Sequence, residues 1–248
     1  MNILRAEMLK YKRTFMAKLV IFIPLFFAAY SLVTSYLLPY AYNWNGILVL
    51  SFNWWPVTFL PLGFALFAGM VANQERKAGG YRVLKAESLV PQKVWLGKIA
   101  GMAMISLLSS GVLIAGDLFC GALQGNVPPL RVVVIAAALC WMATLALIPL
   151  QLWLATWAGM LASLALGAAG MIVGVLLAPT KLWIFCPWSW ASRLMCPTIG
   201  VHPNGTLLPE GSPLFDASVI SLGLAVSLVV FVVLSVLSAQ WFARKESK

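Results

Sequence analysis

The side chains able to do chemistry are few, and they are scattered. The one histidine, His202, lies in a Pro/Gly-rich stretch with no Cys, Asp or Glu at metal-ligand spacing, so it reads as a solvated loop histidine. A phosphate loop needs G-x-x-x-x-G-K-[ST], and Gly97-Lys98 lacks both the upstream glycine and the following Ser or Thr. No Ser/His/acid set and no paired carboxylates fall at catalytic spacing. An enzyme has almost no residues here to stand on. Asp117 is different: it is the one carboxylate inside an apolar run. An intramembrane acid is costly and is a functional candidate by default. Near the outer end of its run it has three outlets: headgroups, a partner in Arg131 or Arg193, or a substrate. Cys186 and Cys196, ten residues apart, suit a disulfide or two free thiols equally. Cys120 and Cys140 read as packing residues. The aromatic set Tyr40, Tyr42, Trp44, Trp54 and Trp55 reads first as an interfacial belt, second as the wall of an amphiphile's path. Asn204-Gly-Thr206 has the form of a glycosylation acceptor, which matters only in a eukaryotic secretory pathway.

The elements that position these residues follow from composition. Of 248 residues, 62% are hydrophobic and 10% charged, against roughly 25% charged in a soluble domain. Too few polar side chains exist to face water, so lipid is the solvent for much of the chain. The net charge of +10 would suggest nucleic acid in a soluble protein. Here the cations cluster at the ends of apolar runs, which excludes that partner. Residues 1–16 read as an amphipathic helix lying in the interface, with Leu4, Met8, Tyr11 and Phe15 on one face. They mix Glu7 with Arg5, Lys10, Lys12 and Arg13, which is not a signal peptide.

Residues 17–248 then form an all-α polytopic domain. Six transmembrane helices are expected at about 17–38, 54–73, 97–119, 131–153, 158–178 and 217–241. The fourth and fifth are separated only by an uncharged turn at 151–159. The fifth carries Gly167, Gly170 and Gly174, the last two at the small-xxx-small spacing that lets helices approach. Fourteen Lys and Arg fall on one side: Arg5, Lys10, Lys12, Arg13 and Lys18; Arg76, Lys77, Arg82, Lys85, Lys93 and Lys98; Arg244, Lys245 and Lys248. Only Arg131, Lys181 and Arg193 fall on the other. An even number of spans therefore puts both termini in the cytoplasm. The loop 74–96 is long and basic. The external segment 179–216 is too apolar for a free loop. It is expected to re-enter the interface as short helices, with Trp188 and Trp190 in the aromatic belt.

Four stretches, in this order and spacing, resemble the permease subunit of an ABC-2-type exporter, most closely the lantibiotic-immunity permeases that protect producers of nisin-, epidermin- and mutacin-like peptides. They are residues 6–14 (AEMLKYKRT), 53–56 (NWWP), 81–84 with 93–98 (YRVL, KVWLGK), and 148–153 with 187–190 (IPLQLW, PWSW). At 73–76 the chain reads NQER, where that group often has a lysine/aspartate-rich junction.

The resemblance implies a type V exporter-like half in a bacterial cytoplasmic membrane. It implies two copies of a separate ABC ATPase that bind ATP and Mg, and a second permease subunit, related or identical. This chain itself holds no cofactor. It implies a coupling helix at 75–93, with Glu75, Arg76, Glu87, Ser88, Leu89, Val90, Pro91 and Gln92 meeting the ATPase. The 151–159 turn would be a smaller contact and residues 6–13 an elbow helix. The implied substrate is a cationic amphipathic peptide, met by the outer acids Asp117, Glu210 and Asp216 and by Trp54, Trp55, Trp188 and Trp190. The competing readings are a permease for another amphiphile, such as a lipid or bacitracin-like drug, and a non-transporting scaffold or sensor.

Overall fold

Apolar helices with few breakers, and prolines whose lost hydrogen bonds are replaced, account for most of this architecture. The computed structural model describes residues 3–12, 14–37, 46–77 and 90–246. Of the sequence features above, Arg13, the Tyr40–Trp44 aromatics, the 81–84 motif with Arg82 and Lys85, residues Glu87, Ser88 and Leu89, and Lys248 lie outside them.

Helix α1 (Ile3–Tyr11) precedes α2 (Phe15–Leu37). Phe15, expected on the apolar face of the first helix, instead opens the second, where it is exposed. At 1.5 Å per residue α2 is about 35 Å long, enough to cross hydrocarbon. Pro24 sits inside it. Proline cannot donate to the carbonyl four residues back, and that carbonyl, on Val20, accepts instead from Ser109 Oγ at 3.0 Å. The break in α2's ladder becomes a tie to the long helix that begins at Pro91.

The second crossing starts earlier than its tryptophans suggest. Helix α3 (Gly46–Trp54), a π-helical turn (Trp55–Phe59) and α4 (Leu60–Lys77) run on as one 32-residue span. The expected start at Trp54 is its interior. Pro56 is absorbed by the wider turn rather than ending the helix. Helix α5 (Pro91–Leu123) is also longer than expected. Extended Val90 leads into Pro91, which takes the first helical position where its missing N–H costs nothing.

The fourth crossing is broken. Helices α6 (Leu130–Thr144) and α7 (Leu147–Ala158) meet at a 42° bend. Pro149 cannot bond to the Leu145 carbonyl, and Ile148 N–H takes that carbonyl at 3.0 Å instead, which tightens the chain at the corner. Gly159, at φ +92°, makes the turn into α8 (Met160–Leu177). Only a residue without Cβ adopts that φ cheaply. Among the described residues five helices are long and apolar enough to cross a membrane, or six crossings if the bent pair counts as one.

The segment after α8 is built into the bundle. A 3₁₀ turn (Lys181–Phe185) leads to α9 (Pro187–Ile199). A single bridge pairs Val201 with Leu207, and α10 (Ser218–Glu246) closes the fold. Helix α9 is buried from Ser189 to Cys196 and packs against α3, α6, α8 and α10. Gly170 and Gly174 explain how. A Cβ on Gly170 would lie 2.2 Å from the Trp188 ring, and one on Gly174 2.8 Å from the Trp188 carbonyl oxygen. The small-residue pair receives α9 of its own chain.

Candidate functional site

Two clusters of polar side chains occupy opposite ends of α5. The first joins α1, α4 and the start of α5. Glycines on α5 admit α1: a Cβ on Gly97 would lie 2.5 Å from the Ile3 side chain, and one on Gly101 3.2 Å from the Tyr11 ring. The close approach brings four charges together. Lys98 Nζ lies 2.6 Å from Glu75 Oε1 and 3.1 Å from Glu7 Oε1. Lys10 Nζ lies 2.8 Å from Glu7 Oε1 and 2.7 Å from Glu75 Oε1. Each lysine bridges both glutamates, and the quartet sums to zero. Lys98 is fully buried and Glu7 nearly so. Burial works against the charge on Lys10, but its bonds to Glu7 and then Glu75 outweigh that and raise its pKa. Burial, then the same two glutamates, push the Tyr11 hydroxyl up as well.

The quartet lies between both flanks of the basic segment 74–96 expected to meet an ATPase. Glu75, expected on the contact surface, turns inward to it. Arg76 and Lys77 point out. Across the gap Val90 is exposed, while Pro91 and Gln92 are half-buried. The same end of the bundle holds the Gly159 turn. Met160 packs on Gly69 of α4, and Lys245 Nζ at the end of α10 donates to the Thr156 carbonyl at 3.4 Å. Trp153 and Trp157 stack at 5.5 Å there, with Trp157 exposed.

The second cluster is at the far end of α5. Asp117 is fully buried. Ser51 Oγ on α3 lies 2.7 Å from its Oδ1 and 3.0 Å from Ser31 Oγ on α2. Among the described residues its Oδ2 has no hydrogen-bond partner. The expected arginine partner is absent among the described residues: Arg193 Nη1 donates to the Leu214 carbonyl at 2.9 Å, and its Cζ lies 6.0 Å from the Trp183 ring centroid.

The family model described as ABC-2 family transporter protein matches residues 3–178, which hold both clusters. The chain belongs to the ABC-2 transporter family. No curated protein and no solved structure matches it. An ABC-2 permease is a multi-pass membrane protein and a transport subunit, not a catalyst; ATP hydrolysis belongs to a separate ABC ATPase.

In this ABC-2 permease the aromatic residues of the expected substrate path do not share one surface. Trp190 is buried, its Nε1 donating to the Ile184 carbonyl at 2.9 Å, and Trp188 fills the glycine notch of α8. Both are turned into the bundle by the packing of α9 rather than standing free on its surface. Trp55 is buried in the π turn, while Trp54 is exposed beside Tyr30. Cys186 and Cys196 are buried free thiols. Asn53, next to the tryptophan pair, holds the far loop by donating to the His202 and Pro203 carbonyls at 3.2 Å. Glu210 and Asp216 are exposed. Ser218 bonds hold the Asp216 carboxyl below the ordinary aspartate pKa. The ionic quartet is what sequence reading missed. The available signal was a lysine flanked by two glycines, Gly97-Lys98-x-x-Gly101, on an otherwise apolar helix.

Proposed function

We propose that this permease is one half of an exporter that expels a cationic amphipathic peptide of the lantibiotic type from a bacterial cytoplasmic membrane, protecting the cell that makes it. Both termini lie in the cytoplasm. Two ABC ATPase subunits, which bind ATP and Mg, dock around residues 75–93, with Glu87 to Gln92 at the centre and the Gly159 turn at the edge. A second permease subunit, related or identical, completes the path. The observation that carries this reading is the gathering of basic elements at one end. The exposed Arg76, Lys77, Lys93 and Lys245 ring the same end of the bundle as α1 and the Gly159 turn. A cation-rich face on one side of a membrane protein is the cytoplasmic face. The test is reconstitution with its ATPase in lipid vesicles preloaded with a lantibiotic. ATP-driven release of the peptide from the membrane supports the reading; ATP turnover with no peptide release opposes it.

A specific observation favours a second reading, export of a less charged amphiphile such as a lipid or a bacitracin-like drug. The groove between α2, the π turn, α4 and α5 is lined mostly by apolar residues, among them Leu19, Ile23, Phe59, Phe67 and Met102, with Ser106 and Ser109 the polar exceptions. Asp117 is shut away from it. In the same vesicles, ATPase stimulation by lipid or drug but not by lantibiotic selects this alternative.

A further inference from the structure

Among the described residues Asp117 has no counter-charge: three elements pack against it, and none brings a cation. Helix α2 presents Ser31, α3 presents Ser51, and on α5 itself the nearest titratable group is Cys120, one turn on. The stretch 38–45, which joins α2 to α3, contains no Lys, Arg or His. The described ion pairs all lie in the other cluster.

The hydrogen bonds can be counted against the protons available. A serine hydroxyl has one proton to give. If Asp117 is ionised, Ser31 donates to Ser51 and Ser51 to Oδ1, and Oδ2 remains a buried anionic oxygen with neither donor nor cation. If it is the neutral acid, its proton on Oδ1 goes to Ser51 Oγ, and Ser51 passes its own to Ser31. Oδ2 is then an unpaired neutral carbonyl oxygen, which costs far less than an unpaired charge. The chain Asp117–Ser51–Ser31 is satisfied in that direction.

A polar line leads from it to the far end of the helices. Ser35 is four residues beyond Ser31 on α2, and Gln124, which caps the end of α5, is seven beyond Asp117, so both stay on the facing sides. Gln124 Nε2 donates to Ser35 Oγ. Apolar Ala28, Ile47 and Leu32 flank the line.

We propose that Asp117 is a proton-binding site of the membrane bundle. It is the neutral acid while α2, α3 and α5 pack as here, and it loses its proton to water entering past Ser35 and Gln124 when they separate. The packed state binds one proton more than the separated state. Lower pH therefore holds the helices together, and rising pH favours separation.

The chain contains two aspartates, Asp117 and the exposed Asp216, so carboxyl-¹³C aspartate labelling gives a two-signal experiment on the intact protein in lipid vesicles. Asp216→Asn assigns the signals by removing one and needs no change at the site. At neutral pH the remaining ¹³C signal is expected at the protonated-acid position, unmoved by exchanging sodium for potassium. Ser51→Ala should shift it, because its hydrogen-bond partner is lost. In addition, thiol labelling of Ser31→Cys should rise several-fold more steeply with pH on the Asp117 background than with Asp117→Asn, which keeps only the rise that thiolate formation gives any cysteine. A signal at the ionised position at neutral pH, or one that moves with sodium, overturns the proton assignment. Labelling that rises equally in both backgrounds overturns the link to helix separation.

Discussion

The two polar clusters of α5, Lys98 near its start and Asp117 near its end, lie 19 residues or about 28 Å apart along the helix. The fold treats them in opposite ways. At the first, two glutamates and two lysines neutralise one another, with Lys98 and Glu7 buried and Lys10 partly exposed. At the second, a single carboxyl is buried with two hydroxyls. A neutral quartet has no reason to change its state while the helices move, so it suits a rigid joint between α1 and both flanks of the basic segment 74–96. A lone acid is stable only in one protonation state of one packing. Paired charge fixes geometry; unpaired charge makes geometry depend on conditions.

The largest expected effect comes from breaking the pairing. Lys98→Met leaves Glu7 and Glu75 facing each other with only half-exposed Lys10 between them. Removing one partner of a buried pair costs about 3–5 kcal/mol, read as a drop in thermal unfolding temperature in detergent. The double variant Lys98→Met with Glu75→Gln restores the balance of charge and should recover most of that loss. A double variant as unstable as the single would mean the quartet is not a closed set. Next is the seat of α1: Gly101→Leu places a side chain where Tyr11 and Glu7 lie, at about 1–3 kcal/mol of overpacking. It should loosen α1 in hydrogen exchange while leaving α8 and α9 protected. Asp117→Asn sharpens the contrast. Replacing a neutral acid by an amide of the same shape should change stability by no more than about 1 kcal/mol, although the site is as buried as Lys98; a loss as large as that of Lys98→Met would indicate an ionised carboxylate. The smallest effect is at Lys10, whose ammonium is partly solvated. Its pKa is raised, so its contribution is complete at neutral pH and is lost only as pH climbs past the ordinary lysine range. Unfolding temperature measured against alkaline pH should show that loss in wild type and not in Lys10→Met.

Hydropathy carries over well where burial is simple. The all-α membrane class is readable from 62% hydrophobic residues, and the Gly159 turn falls inside the uncharged 151–159 stretch. Proline and tryptophan misled where a tertiary contact decides. Pro56 looks like a helix start, yet a π turn carries the chain through it. Trp188 and Trp190 look like interface residues, yet Trp188 enters the α8 glycine notch only after the chain folds back, and Trp190 is buried with its Nε1 on the nearby Ile184 carbonyl. The quartet was hidden for the same reason. Glu7, Glu75 and Lys98 are separated by most of the first hundred residues, and each alone resembles a solvated charge at a helix end. Asp117 was legible as an unusual acid, but its lack of a cation was not, because Arg193 sits at a plausible depth and instead bonds to a backbone carbonyl.

The account rests on an ABC-2 permease whose basic end engages an ATPase, and a direct measurement is available. The chain is co-expressed with its ABC ATPase, purified in lipid nanodiscs and its subunits counted, with ATP turnover compared with that of the ATPase alone. The account predicts a stable complex with two ATPase subunits per two permease subunits, and a turnover changed by the permease. A permease that purifies without the ATPase and leaves its turnover unchanged would contradict it.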